Sequence, residues 1–443
     1  MKPSRALLSW IAVLTVLVGC AGAISGTPRD LDAGGGVDAS APDGDVAVDA
    51  GPRSDGDVPA EDGGASTGED AGPISLDGGP IGVDAGPVDG GPIGVDAGPP
   101  APPTFETVFS RRPDTNARDT TVETRLIQLI DSAVPGSRIR VAMYSFTRTG
   151  PADALVRAAG RGVDVRILLD GGADGVGSEV GTLRTGLGAA NVHLCDAPGT
   201  ACVGSGIMHH KTFLFSALDD GSANVVAQAS HNLTTTQLTM HNNAVIIRGD
   251  ALLFAAYERT WNDLWADLEN PDYYRIDDGA LGTRVYFYPR ATGGDTSVSI
   301  LNNITCDGTA RIRVAMAFFT DARSDVATAL AARAREGCDV RVVAGDDSIP
   351  LGATVASTLT AGGVDLVRYP NRSGWSLHSK YLLIDAVYAG STGHRRLVFT
   401  GSHNWTGPSL TSNDETQLRV EDDGVFDAYL ADWAHVRASA LRP

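Results

Sequence analysis

The sequence predicts an α/β protein built as two homologous sandwich lobes related by a pseudo-twofold, with an active site at their interface. Three observations carry this expectation. The segment Ser137 to Met143 (SRIRVAM) returns as Ala310 to Met316 (ARIRVAM), and Gly162 to Arg166 (GVDVR) returns as Gly337 to Arg341 (GCDVR). A His-x-Lys pair also occurs twice, at an offset of 169 residues from His209 to His378, and a Ser-His-Asn triplet recurs at an offset of 172 from Asn232 to Asn404. A repeat of that length is a domain, not a motif. Within each copy an apolar strand pattern, a helical stretch and a second strand pattern follow one another through short turns, the alternation of an α/β layer structure.

From the N-terminus, Lys2 and Arg5 precede the apolar run Ala6 to Val18. The run is too short to span a bilayer and reads as an export signal over residues 1–19. Leu17 to Cys20 (LVGC) resembles a bacterial lipobox, which implies cleavage before Cys20 and lipidation of its thiol. Ala21 lacks the aspartate associated with inner-membrane retention, so an outer-membrane anchor on the periplasmic or surface face is expected. Residues 20–104 are expected to be a disordered tether. Thr27 to Pro103 is rich in Asp, Gly, Ala and Pro, repeats GGPIGVDAGPV almost verbatim, and has no aromatic residue with which to build a core. Its sixteen Asp/Glu against two Arg account for most of the chain's net charge of −19. As a random coil it would reach on the order of 50 Å.

Lobe one is assigned to 105–275 and lobe two to 276–443. In the first, Ile139 to Phe146 reads as a strand, Ala152 to Gly160 as a helix and Val163 to Leu169 as a strand. Ala244 to Arg248 follows as a strand and Phe254 to Leu268 as a closing helix. In the second the counterparts are Ile312 to Phe319, Ala327 to Glu336, Val340 to Ala344 and Gln417 to Val420. Four cysteines remain beyond Cys20: Cys195, Cys202, Cys306 and Cys338. An even number in an exported chain implies disulfides, with three connectivities open. Local pairing is favoured, because Cys195 and Cys202 flank a Pro-Gly turn while Cys306 precedes a strand and Cys338 ends the following helix. Zinc is the alternative, disfavoured by the scattered spacing.

The chemistry concentrates at the doubled motifs. His209 with Lys211, and His378 with Lys380, each stand at the head of an apolar strand pattern, where side chains two apart share a face. Ser230 with Asn232, and Ser402 with Asn404, repeat the spacing with neutral donors. Brought together, two lysines, two asparagines and two phosphate-binding serines suit a phosphodiester, whose non-bridging oxygens gain charge in the transition state. Two histidines can then divide the work without a metal or other cofactor, one attacking phosphorus and the other serving as general acid and base. Glu415 and Asn243 both lie eleven residues after the asparagine of their own half. That offset predicts that Glu415 orients His378, the proton donor, and that Asn243 orients His209, the nucleophile. His210, His231 and His403 read as structural.

These residues resemble the phospholipase D superfamily, whose signature is His-x-Lys-x4-Asp followed by Gly-Ser-x-Asn. The second half matches in full through His378, Lys380, Asp385, Gly401, Ser402 and Asn404. The first departs from it, with Ser216 in place of the Asp, Ala229 in place of Gly, and Asn243 in place of an acidic orienter. Asp385 and Ser216 fall at an odd offset from the histidine and are assigned structural roles. An amide in one half with Glu in the other is also similar to the tyrosyl-DNA phosphodiesterase branch. The resemblance covers Phe105 to the C-terminus. It implies a monomeric, membrane-anchored phosphodiesterase that cleaves phospholipid to phosphatidic acid and head group through a phosphohistidine. Residues 104–443 carry 31 Lys/Arg against 38 Asp/Glu, without the basic excess that backbone binding of nucleic acid demands. The alternatives are an endonuclease, with Arg372 and Arg184 lining a groove, a transphosphatidylase of the cardiolipin-synthase type, and a catalytically silent surface binding protein.

Overall fold

The repeated RIRVAM segments form the middle of two separate sheets, and everything at the site hangs from them. The structure, a computed structural model, describes residues 102–442 apart from 116, 173–176, 178, 197–198 and 371–373. The export signal, Cys20, the tether through residue 101 and Arg372 lie outside the described residues.

The first sheet runs, in spatial order, Thr104–Ser110, Met240–Arg248, Ala223–Ala229, Lys211–Ala217, Arg138–Met143, Asp164–Asp170 and Val192–Cys195. The second runs Asp365–Pro370, Asp339–Asp346, Arg311–Met316, Lys380–Tyr388, His394–Gly401, Glu415–Glu421, Arg284–Tyr288 and Arg275–Asp278. Parallel βαβ crossovers build one side of each sheet and antiparallel hairpins the other, as the alternating pattern requires. Elements expected from the sequence are present with ends shifted by a few residues. The strand beginning at Ala244 starts four residues earlier, and the helix expected at Phe254 to Leu268 occupies Ala251–Trp265. The boundary placed between 275 and 276 falls inside strand Arg275–Asp278, which belongs wholly to the second sheet.

Helices Thr121–Asp131, Thr149–Gly160 and Glu179–Leu187 cover the outer face of sheet one, burying Leu126, Leu155 and Leu183 against Val141 and Ile246. Ser324–Arg335 and Ala353–Ala361 do the same for sheet two. A third core lies between the sheets. It joins Leu214, Val245 and Ile247 of one to Leu383, Val398 and Leu418 of the other, with helices Ala251–Trp265 and Asp423–Ala440. These last helices are anchored alike: Trp261 Nε1 donates to the Val141 carbonyl and Trp433 Nε1 to that of Val314, both at 2.9 Å. Each indole also carries a guanidinium over its ring, Arg140 at 5.4 Å and Arg313 at 5.3 Å. The duplication read in the sequence is therefore a duplication of contacts.

Strand exchange joins the lobes. Ser376–Leu377, from the second half, pairs with the start of Met240–Arg248 in the first, and Met208 bridges to Asp414 in the reverse sense. The His209 amide donates to the Asp414 carbonyl and the His378 amide to that of His241. Each histidine is thus clamped to the strand that carries the other lobe's orienting residue. Disulfides Cys195–Cys202 and Cys306–Cys338 form, the local pairing. Among the described residues no helix is long and apolar enough to cross a membrane.

Candidate active site

The two motif strands begin at the lysines, so His209 and His378 sit just ahead of them, in the segments clamped to the opposite lobe. Both are buried, as are Lys211 and Lys380. Each lysine turns back on its own motif, Lys211 Nζ donating to the His209 carbonyl at 3.1 Å and Lys380 Nζ to the His378 carbonyl at 2.7 Å. Lys211 Nζ also lies 5.2 Å from the Tyr144 ring centre, and the Tyr144 ring meets His209 edge-on at 5.1 Å. Buried ammonium groups held this way are strong electrostatic donors for an anion.

The orienting residues differ from the expectation. His209 Nδ1 lies 2.8 Å from Glu415 Oε2, and His378 Nδ1 lies 2.9 Å from Asn242 Oδ1. Each imidazole is oriented from the opposite lobe, so Glu415 serves His209 and not His378. The amide partner is Asn242, not Asn243. Asn243 turns to the opposite face of its strand, where its Nδ2 donates to Thr400 Oγ1 at 2.7 Å and to the Tyr429 hydroxyl at 2.9 Å.

The register explains the slip. Ala229 pairs with Ala244, while its counterpart Gly401 pairs with Gln417. The connection between these strands is one residue shorter in the first lobe, so Glu415 corresponds to Asn242, and Asn243 to Thr416. Alternation along a strand then sends neighbours to opposite faces. Thr416 accordingly meets the central core too, its Oγ1 2.8 Å from His210 Nδ1. Asn243→Ala is expected to cost about 1–3 kcal/mol of stability through the groups it leaves unpaired, with kcat nearly unchanged, whereas Asn242→Ala lowers kcat. Denaturant unfolding alongside steady-state assays checks both.

Ser230 and Ser402 hold the orienters. Ser230 Oγ donates to Asn242 Oδ1 at 3.0 Å and Ser402 Oγ to Glu415 Oε2 at 2.5 Å, while accepting the amides of Asn243 and Thr416, each at 3.0 Å. A hydroxyl has one proton to give, and here each is committed, which removes both serines from the phosphate-binding role expected of them. Asn232 and Asn404 are buried beside them, and among the described residues the Asn404 side-chain amide has no protein partner. A buried amide in that state is a natural donor for a bound anion. Ser216 Oγ accepts the Arg138 amide, and Asp385 pairs with Arg311 and with His394 Nδ1, each residue lying five positions along its strand from the motif lysine.

Burial, and next the charge of His378, pushes the His231 ring down to about 3. Burial, then Arg323 and His209, holds His403 well below its usual value. Both rings are neutral walls, and His403 stacks on Tyr288 at 4.2 Å.

Residues the motif reading missed include Asn242, Asp170 and Asp414. Asp414 accepts the amides of Cys202, Val203 and Gly204, and Asp170 accepts that of Met208, so together they fix the loop leading into His209. The sequence signal for Asn242 was the apolar alternation Val245, Ile247 on one face and Ala244, Ile246 on the other, which places 242 with the outer face. The donor atoms of His193, Cys195, Cys202 and Asp267 lie within 4.8 Å of one another and form a cluster of metal-ligand type, with the two sulfurs joined as a disulfide.

Comparison with known proteins adds to this geometry. The family described as "Cardiolipin synthase, PLD-like domain" matches residues 126–265 and 306–436. The mitochondrial cardiolipin hydrolase of Xenopus laevis is 31% identical over 111 residues, 25% of this chain and 48% of that protein. The chain thus spans about half the length of this curated relative. Among solved structures, phosphatidylserine synthase from Haemophilus influenzae Rd KW20 superposes with a TM-score of 0.53 at 12% identity, over 75% of this chain and 86% of that one. Polyphosphate kinase from Porphyromonas gingivalis also reaches 0.53, at 15% identity, over 74% of this chain and 46% of that one. At such identities the likeness is one of fold.

Proposed function

The chain belongs to the phospholipase D-like family, and from that premise we propose that it hydrolyses phospholipid phosphodiester bonds, releasing phosphatidic acid and head group through a phosphohistidine. The observation that carries the reading is the reciprocal orientation of the two buried imidazoles, His209 by Glu415 and His378 by Asn242.

The pairing divides the roles on a different physical ground from the one the sequence supplied. A carboxylate accepting Nδ1–H fixes the tautomer with its lone pair on Nε2 and stabilises the positive charge the ring acquires on bonding to phosphorus. His209 is accordingly the nucleophile. Asn242 can accept Nδ1–H from His378 but brings no charge, so the Nε2 proton of that imidazolium is easily surrendered. His209 Nε2 attacks phosphorus, the bond to the leaving alcohol breaks, and His378 delivers its proton to that oxygen. His378 then takes a proton from water, the resulting hydroxide attacks phosphorus, and the P–N bond breaks to restore His209. Lys211, Lys380, Asn232 and Asn404 hold the non-bridging oxygens.

Support for lipid over nucleic acid comes from the mildly acidic module and from the cardiolipin hydrolase likeness. The proposal extends to an exported chain, anchored through a lipidated Cys20 to the outer membrane by the tether of residues 20–104, acting as a monomer. Its test is the full chain assayed in EDTA on phosphatidylcholine and cardiolipin vesicles, single-stranded DNA and a p-nitrophenyl diester, beside His209→Ala. Lipid turnover that survives EDTA and vanishes in the variant is expected. Cleavage of DNA alone would transfer the proposal to the endonuclease reading, phosphatidyl transfer to an added alcohol in preference to water would mark a transphosphatidylase, and no turnover of any diester would leave a binding protein.

A further inference from the structure

On the outer face of sheet two, away from the histidines, is a cavity of about 500 Å³ lined by four arginines and three tyrosines. Arg284 and Arg395 are neutralised, the first by Asp278 at 2.5 Å and the second by Glu421. Among the described residues Arg290 donates only to neutral oxygens, those of Thr292, Gly293 and Thr296, and it packs over the Tyr274 ring at 4.3 Å. Arg419 is more unusual. It is 7% exposed, burial lowers its pKa, and among the described residues its Nε has no hydrogen-bond partner and its guanidinium forms no ion pair. A buried cation left in that state is costly, and natural folds rarely keep one without an anion to meet it.

The duplication supplies an internal control. By the register that equates Ala244 with Gln417, the counterpart of Arg419 is Ile246, and that of its neighbour Tyr286 is Val108. Both are buried in the apolar core of lobe one. The fold therefore requires neither the cation nor the phenol here. Lobe one fills the place with hydrocarbon, whereas lobe two opens a cavity and lines it with donors. The cavity is of ligand size, two of its four guanidinium groups have no carboxylate partner among the described residues, and exposed Ile276 stands at its rim.

We propose that this cavity is a second anion site, separate from the catalytic histidines, that binds a phosphomonoester through Arg419 and Arg290. Arg419 lies four residues beyond Glu415 on the same face of strand Glu415–Glu421, about 13 Å along it. Tyr288 and Gln417, hydrogen-bonded at 3.2 Å, stand between the two sites. A free phosphorylated metabolite and the head group of a phosphatidate-bearing membrane present the same dianion.

The test is calorimetric titration of the full chain with glycerol 3-phosphate, and co-sedimentation with phosphatidylcholine vesicles with and without phosphatidate, for the wild type, Arg419→Ile and Arg419→Lys. Arg419→Ile copies lobe one and is expected to fold at least as stably. It should lose roughly 10-fold or more in affinity for the phosphomonoester, while turnover of a p-nitrophenyl diester is unchanged. Arg419→Lys should retain part of the binding. Response to glycerol 3-phosphate marks a soluble ligand, and Arg419-dependent sedimentation only with phosphatidate marks a membrane one. Equal binding by wild type and Arg419→Ile in both arms, or loss of diester turnover in step with loss of binding, would overturn the proposal.

Discussion

Glu415→Gln is expected to lower kcat by about 10²–10⁴-fold while KM moves little. The side chain keeps its shape, and a carbonyl oxygen can still accept from His209 Nδ1 and from Ser402. The negative charge that would compensate the proposed phosphorylated ring is lost, and an amide can also rotate to present NH₂ and select the wrong tautomer. The reverse substitution on the other side, Asn242→Asp, gives His378 a carboxylate and strengthens its hold on the Nε2 proton. Its effect should therefore depend on the leaving group: large for an alkoxide, which needs that proton, and small for p-nitrophenolate, which does not. Plotting log kcat against leaving-group pKa for wild type, Glu415→Gln and Asn242→Asp separates the two histidines. Should Glu415→Gln stay within about three-fold of wild type across the series, the carboxylate is not acting on the nucleophile and the assignment fails.

Much of this arrangement is legible in the chain, and what is not legible is tertiary. The RIRVAM repeats located the two central strands because period-two patterning and duplication are local properties. The doubled His209–Lys211 and His378–Lys380 pairs are legible by the same means, each standing at the head of such a strand. The partner of each imidazole is not, because orientation comes from across the interface. Met208 bridging to Asp414, and Leu377 to His241, set each histidine beside the opposite lobe's strand. No spacing within one lobe encodes that exchange. Asn242 takes the place expected of Asn243 because of a one-residue difference in a connecting loop, and on a strand one residue is a change of face. The serines depart from expectation for a related reason. Their position beside the asparagines is a sequence property, but the commitment of their protons to Asn242 and Glu415 is tertiary.

The division of labour predicts where phosphorus is found when the second half-reaction is stopped. His378→Ala removes the proposed general acid and base, but leaves His209, Glu415 and Ser402 in place on the other side of the interface. With bis(p-nitrophenyl) phosphate, whose leaving group departs unaided, attack by His209 should proceed. The variant should release about one equivalent of nitrophenolate per chain in a burst and then turn over about 10²–10⁴-fold more slowly than wild type. Quenching after the burst should give an acid-labile, base-stable phosphoryl adduct on the peptide containing His209. His209→Ala should give neither burst nor adduct, since Lys211 and Lys380 can bind the anion but supply no nucleophile. An adduct on His378 in that variant, with none on His209 in the other, would reverse the roles. The carboxylate would then have to be acting on the proton donor, and the argument from imidazolium stabilisation would favour His209 as the acid.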